Sequence, residues 1–328
     1  MDLNNAFLDG DLQEDVYIIV PQGVNTTKTN QVCKLMKSLY GLKQGFRKWY
    51  EKITSLLLHH QYSQSTSDHS LFIKHTDTSF TMLLVYVDDV IIAGNLLHEF
   101  QHIKTILHSS FKIKDLGQLK YFLRLEVAHS SQGISLCQRK YCIDLLTDSG
   151  HLASKPVSTP SEPSCKLHQD YSAPYTDVPS CIRLIGRLIY LTNTRSDITF
   201  ATQQLNQFLS SPTEKHFSAA TRILKYLKKC LGQGLFFPRD SSLSISGFSN
   251  VDWAGCLDSR RSISGQWFFL GTSLISCRTK KQLIVSRSSS EVEYIALGVA
   301  TCELQWLLQT MSQLLGQGLT YQTSCALL

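Results

Sequence analysis

Met82-Leu83-Leu84-Val85-Tyr86-Val87-Asp88-Asp89-Val90-Ile91-Ile92-Ala93 places two adjacent carboxylates between two apolar, β-prone runs. The runs predict a hairpin whose tip carries the acids. Like charges so close to buried strands repel each other and resist desolvation, so the pair favours a cationic neighbour. A hard cation such as Mg²⁺ takes oxygen ligands and leaves coordination positions for substrate phosphates. The plainer reading of a bare Asp-Asp is a solvated turn between two strands. The choice between them rests on what else the chain carries.

Other blocks stand in order along it. Met1-Asp2-Leu3-Asn4-Asn5-Ala6-Phe7-Leu8-Asp9-Gly10-Asp11-Leu12 opens the chain, and Ser38-Leu39-Tyr40-Gly41-Leu42-Lys43-Gln44 follows with Arg47 and Trp49. After Tyr86 to Asp89 come Lys114-Asp115-Leu116-Gly117 and Tyr121-Phe122-Leu123. Gly186 to Thr192, Thr194-Arg195 with Asp197-Ile198, and Asp252-Trp253-Ala254-Gly255-Cys256 with Arg260-Arg261-Ser262 stand further on. Ser286-Arg287-Ser288-Ser289 with Glu291, Glu293 and Tyr294 closes the series. Each block is weak alone. Together and in this order, over nearly the whole chain, they resemble the reverse transcriptases of copia-type retrotransposon pol polyproteins.

The resemblance implies an α/β (α+β) fold in three parts. Residues 1–150 would be an N-terminally truncated polymerase palm, a sheet with backing helices. Residues 151–232 would be a Pro-rich linker plus a helical thumb or connection, and residues 233–328 a partial, truncated ribonuclease H-like domain. It implies that Asp2, Asp88 and Asp89 are catalytic and hold two Mg²⁺ ions, Asp2 and Asp88 binding both and Asp89 supporting them. Phe7, Gln44 and Tyr86 would meet the incoming nucleotide. An aromatic Phe7 under the sugar excludes a 2′-hydroxyl, although a core phenylalanine explains it equally, and Gln44 also reads as a helix-surface amide. Lys112 and Lys114 match a phosphate-side lysine. The implied partners are an RNA template, a DNA primer, an RNA–DNA hybrid and deoxynucleoside triphosphates. No membrane and no disulfide-linked partner is expected.

Several positions depart from the family's pattern. Phe46 and Ser196 stand where prolines are expected, and Arg124 stands where a glycine permits close backbone approach, which should disturb that turn. A single residue precedes Asp2, without the basic fingers region expected before it, so this strand is expected to fray. In the ribonuclease H part, Asn250 occupies the position of the first carboxylate, Asp252 reads as a solvated loop aspartate, and Glu293 matches the helix acid. Tyr321 to Leu328 holds no acid, so ribonuclease H activity is expected to be absent. Three readings follow: a polymerase, a nucleic-acid-binding remnant without chemistry, or a relic that does not fold.

Bulk properties set outer limits. The 328 residues suffice for two or three domains. The apolar runs fall short of the roughly 20 residues that span a bilayer, and Asp2, Asp9 and Asp11 argue against a signal peptide. These features are those expected of an intracellular protein and leave the compartment, cytoplasmic or nuclear, open. Ten cysteines without a C-x-x-C pair suggest free, mostly buried thiols. Residues 1–150 hold 15 Lys/Arg and 15 Asp/Glu, so the whole net charge of +6 falls beyond them. Between Asp258 and Glu291 stand Arg260, Arg261, Arg278, Lys280, Lys281 and Arg287 with no acid, either a phosphate-backbone contact or a solvated face.

Periodicity predicts strands over Val16–Val20, Leu71–Lys74, Phe122–Val127 and Gly133–Leu136. It predicts helices over Lys43–His60 and Leu97–His108. Five of eight prolines between Pro156 and Pro179 mark a linker or extended crossing segment. Beyond it, Ile182, Ile185, Leu188 and Ile189 form one helical stripe, and Ile223, Leu224 and Leu227 another. Strands near Leu235–Phe237, Leu243–Phe248, Trp267–Leu270 and Leu274–Cys277 precede a helix from Glu291 to about Leu315.

Overall fold

The computed structural model describes residues 1–328 except 5, 26–29, 77–78, 163–166, 170–171, 317–322 and 328, with the backbone alone for 4, 7, 9 and 323–327. The chain forms two units, Met1–Leu119 with Trp306–Leu319, and Lys120–Gln305 with Thr320–Leu328.

In the first unit, β1 (Asp2–Asn4), β2 (Asp11–Ile19) and β3 (Val32–Lys37) precede helix α1 (Gly45–His59). Then come β4 (Ser63–Gln64), β5 (Leu71–His75), β6 (Phe80–Tyr86), β7 (Asp89–Gly94), helix α2 (Leu97–Ser110) and β8 (Lys112–Lys114). A six-stranded sheet runs β4-β5-β6-β7-β1-β8, while β2 and β3 pair apart from it. Strand alternation decides its two faces. Thr81, Leu83 and Val85 of β6 point inward, as do Leu3 and Val90. They meet Trp49, Ile53 and Leu57 of α1 and Ile103 and Leu107 of α2. Each such side chain, taken from water, contributes about 1.5–3 kcal/mol. Gly10 lets β2 approach α1, because a Cβ there would stand 2.9 Å from the Lys48 Cβ and the Ser38 Oγ.

β1 is held on both sides, where the sequence led us to expect a poorly anchored strand. It lies inside the sheet, antiparallel to β7 on one side and to β8 on the other. The Leu3 amide donates to the Asp88 carbonyl at 2.7 Å, and the Val90 amide donates to the Met1 carbonyl at 3.0 Å. Pairing on both edges ties the strand down.

The second unit opens with β9 (Tyr121–Phe122), β10 (Leu125–His129), β11 (Gly133–Cys137) and α3 (Arg139–Asp148). Helices α4 (Val178–Leu191), α5 (Thr199–Asn206) and α6 (Glu214–Leu227) follow, then β12 (Gly234–Pro238). Next are β13 (Ile245–Val251), β14 (Ile263–Leu270), β15 (Ser273–Lys281), α7 (Ser289–Leu315), which belongs to this unit only as far as Gln305, and β16 (Thr323–Leu327). One sheet runs β12-β11-β10-β9. Another runs β15-β14-β13-β16, with β16 parallel to β13 and the other pairs antiparallel.

Helices α3 to α6 share one core. The stripe expected on α4 is rotated. Cys181, Leu184, Ile185, Leu188 and Leu191 are its buried residues, whereas Ile182 and Ile189 are exposed. The i, i+3, i+4, i+7 rule fits both phases of this apolar helix, and only its packing partners choose between them. On α6, Ile223, Leu224 and Leu227 are buried as expected. The Pro-rich segment crosses this core: Leu167 and Tyr175 pack on it, and Tyr175 stacks on Phe217 with ring centroids 4.1 Å apart.

Arg124 does not prevent its turn from closing. Phe122 pairs with Leu125, and the two loop residues Leu123 and Arg124 both have positive φ, 45° and 64°. That is the type I′ pattern, which usually favours Asn-Gly. The Arg124 guanidinium lies 5.2 Å from the Tyr141 ring centroid, and the Tyr190 hydroxyl donates to the Leu123 carbonyl. The cysteines differ from expectation too. Among the described ones all are free, yet only Cys142, Cys181 and Cys256 are buried, and Cys230 and Cys302 are exposed.

The Thr194-Arg195-x-Asp197 block is structural. Arg195 is 3% exposed and grips Asp197 through Nε at 2.9 Å and an NH group at 2.7 Å. Its other NH group donates to the Cys230 carbonyl at 3.0 Å, and the Tyr226 hydroxyl donates to Asp197 at 2.8 Å. Burial pushes the Asp197 carboxyl up, but the bonds from Arg195 and Tyr226 outweigh it and hold the carboxyl below its ordinary value. Removing one partner of such a pair leaves a buried charge uncompensated. Arg195→Met is expected to destabilise the fold by about 3 kcal/mol in urea denaturation at pH 7. Because Asp197 is held low, the stability from the pair is present above the ordinary Asp pKa and lost as pH falls through the lower, folded value. The difference between variant and parent is therefore expected to shrink in that acidic window.

Candidate functional site

The geometry of the acidic hairpin follows from its turn. Tyr86 pairs with Asp89, leaving Val87 and Asp88 as a two-residue loop. Val87 has φ +56° and Asp88 does not have positive φ, the type II′ pattern, whose first position usually takes glycine. A β-branched residue there costs about 1–3 kcal/mol and persists only when its surroundings hold it. Both loop carbonyls are held. The Trp49 indole Nε1 donates to the Val87 carbonyl at 2.8 Å, and the Leu3 amide takes the Asp88 carbonyl. Trp49 is 3% exposed and packs edge-on to Phe111, ring centroids 4.9 Å apart.

The sheet then assembles a row. Tyr86 is opposite Asp89, Asp89 is opposite Asp2, and Asp2 is opposite Lys114. Directly opposed residues share a face. Because Val85, Val90 and Leu3 point into the helix-backed core, this row stands on the other face. Burial raises the Asp89 carboxyl above its ordinary value, and the charges of Asp88 and then Asp2 raise it further, with the Met1 ammonium pulling the other way.

That excess of negative charge, carried by oxygen donors, fits Mg²⁺. No group of three His, Cys, Asp or Glu side chains among the described residues is arranged as a metal cage. Mg²⁺ instead uses one or two carboxylates together with waters and substrate phosphates. The residues of this row are of that kind.

Of the remaining expected residues, Tyr86 joins the row and is about half exposed. Gln44 is the N-cap residue of α1, half-buried, its side chain making no capping bond. It stands at the start of the helix whose Trp49 holds the hairpin tip. Phe7 lies in the 3₁₀ turn Ala6–Asp9, and its side chain is outside the described residues. Lys114 enters the row beside Asp2, whereas Lys112 is opposite Asn4. The role of Trp49 was visible in the sequence only as part of a motif and as an apolar helix position; its bond to Val87 spans 38 residues.

In the second unit, Asn250 is on β13, where its side-chain oxygen accepts the Val251 amide at 2.8 Å. Glu293 is on α7, and its buried Oε2 has no hydrogen-bond partner among the described residues. Asp252 is exposed but is not merely solvated. Its carboxylate accepts the Ile263 amide at 2.5 Å and folds over Gly255, where a Cβ would collide with it. Of the basic run, Arg278 pairs with Glu303 at 2.9 Å. No helix among the described residues is long and apolar enough to cross a membrane.

Because the folded state raises the Asp89 carboxyl, it binds that proton more tightly than the unfolded chain, so stability falls as pH rises from the ordinary Asp pKa through the folded value. Asp89→Asn is therefore expected to raise the thermal midpoint at pH 7 by about a degree or two, a gain that vanishes below about pH 4. Thermal melts at the two pH values, followed by circular dichroism, check this. Trp49→Phe removes the donor to Val87 and is expected to cost about 1–2 kcal/mol in urea denaturation.

The family model described as "Reverse transcriptase (RNA-dependent DNA polymerase)" matches residues 1–163. The chain is 41% identical over 318 residues to the retrovirus-related Pol polyprotein from transposon RE1 of Arabidopsis thaliana, covering 96% of this chain and 22% of that protein. It is 34% identical over 326 residues to the Pol polyprotein from transposon TNT 1-94 of Nicotiana tabacum, covering 96% and 24%. An uncharacterized mitochondrial protein of Arabidopsis thaliana is 39% identical over 225 residues, 68% of this chain and 93% of that protein. The chain thus spans about a fifth to a quarter of the length of these Pol polyproteins.

Proposed function

Since the chain belongs to the reverse transcriptases of copia-type retrotransposon Pol polyproteins, we propose that its acidic row is the site of RNA-directed nucleotidyl transfer. The observation that carries this is the register of Asp2 against Asp89, which joins a carboxylate from the start of the chain to the Asp88-Asp89 pair. Phosphoryl transfer needs acids from separated segments at one point. Asp2 and Asp88 would hold Mg²⁺, with Asp89 supporting them. When bound, the ions supply activation of the primer 3′-hydroxyl and neutralisation of the triphosphate.

The chain's own residues do the positioning. Trp49 and Leu3 fix the tip that presents Asp88. Tyr86, on the exposed face next to Asp89, is placed to meet the primer end or the nucleotide, and Lys114, beside Asp2, to meet a phosphate. Gln44 and Phe7 remain nucleotide contacts in this reading. RNA template, DNA primer and deoxynucleoside triphosphates are the partners it requires.

The sheet β15-β14-β13-β16 with α7 before its parallel strand supports a ribonuclease H-like reading of residues 233–328. In that reading Asn250 leaves Glu293 without its acidic partner, so hybrid cleavage is absent. The helical stretch within 151–232 is read as thumb or connection.

Primer extension on an RNA template with Mg²⁺ tests the proposal. Extension by the parent, lowered at least about a hundredfold in kcat by Asp88→Asn or Asp2→Asn, is the expected result. Equal extension by parent and variants would refute the assignment. If neither parent nor variant extends, yet both bind an RNA–DNA hybrid with equal salt dependence, the nucleic-acid-binding remnant is the better reading.

A further inference from the structure

A cavity of about 750 Å³ in the second unit lies between α5, α6, the Pro-rich segment and the turn Asp252–Gly255. Its volume is in the range that encloses a small molecule. The lining has two characters. Ala201, Leu205 and Ile223 give a buried apolar wall. Arg222 and Lys225, one turn apart on α6, give a cationic one, and neither has an ion-pair partner among the described residues. Arg222 donates one NH group to the Thr159 hydroxyl at 3.0 Å, while its buried Nε has no partner among the described residues. An unsatisfied buried N–H on a guanidinium is costly, and an anion relieves that cost most effectively. Of the two lining acids, Asp252 is already bound to the Ile263 amide, and Glu162, within the Pro-rich segment, is exposed to solvent. Trp253, about half exposed, closes one side with an aromatic surface.

We propose that this cavity binds a small anionic amphiphile, a single phosphate, sulfonate or carboxylate head on an apolar or aromatic body. The head pairs with Arg222 and Lys225, and the body lies on Ala201, Leu205 and Ile223. The site is made of second-unit residues alone and is independent of the polymerase reading.

The test is a titration of the full chain with 8-anilinonaphthalene-1-sulfonate, read by probe fluorescence and by energy transfer from tryptophan. Saturation at one probe per chain is expected. Arg222→Gln is expected to weaken binding about tenfold, and Ser218→Trp, which fills the cavity from α6, to abolish it. Lys229→Gln, exposed beyond the end of α6, is expected to bind as the parent does, and far-UV circular dichroism confirms that each variant is folded. Adenosine monophosphate and decanoate compete in separate arms. Displacement by the first identifies a phosphate on an aromatic body, by the second a carboxylate on an alkyl chain, and either supports the proposal. Binding unchanged in both Arg222→Gln and Ser218→Trp, absence of saturation, or displacement by a short RNA–DNA hybrid would overturn it, the last because the cavity would then belong to a nucleic-acid track.

Discussion

The bond from the Trp49 indole to the Val87 carbonyl is the constraint on which the acidic site depends. A β-branched residue at positive φ is strained and persists only where its surroundings hold it, and here Trp49 bonds one loop carbonyl and Leu3 the other. The same two contacts do separate jobs. Trp49 ties the turn to α1 and the apolar core, and Leu3 ties it to β1, which carries Asp2. One strained turn thereby couples the helix layer, the hairpin and the first strand. The strain at Val87 and the charges of Asp88 and Asp2 that raise the Asp89 carboxyl fall at the same place.

The second unit uses charge in the opposite sense. Arg195 and Asp197 neutralise each other at short range inside a helical core, with Tyr226 and the Cys230 carbonyl completing their hydrogen bonds. Both this pair and the acidic row come from sequence blocks that resemble the family, yet one is fully satisfied and the other carries surplus charge. Satisfied ion pairs hold packing together, whereas surplus charge invites a ligand. Arg222 and Lys225, which have no ion-pair partner among the described residues and stand beside an apolar wall, belong with the second kind.

Much of the secondary structure was legible from period alone. Strands around Asp88, the helix α1 and the start and end of α7 fall where alternation or the 3.6-residue repeat puts them. Helices α3 and α5 lie outside the expected set: α5 is only eight residues long, whereas Tyr141, Cys142, Leu145 and Leu146 of α3 do carry the helical repeat over a short span. The buried face of α4 is rotated from the expected stripe, because Ile182 and Ile189 lie at the edge of an apolar face whose centre is set by the helices packed on it. Arg124 stands where a glycine is expected, and its φ of 64° is the left-handed conformation that glycine favours, but Tyr141 against its guanidinium and Tyr190 on the Leu123 carbonyl hold the turn.

The sequence by itself determined the acids, their order, the family they resemble and the apolar, strand-forming runs on either side of Asp88-Asp89. Those follow from residue identity and local propensity, which need no distant partner. Which face Leu3, Val85 and Val90 turn inward came from the packing of the helices on the sheet. Only the tertiary structure decided that β1 lies between β7 and β8, so that Asp89, Asp2 and Lys114 fall in one row. It also decided that an indole far along the chain holds the turn. Register and long-range hydrogen bonds depend on which strands meet, and no local pattern encodes that.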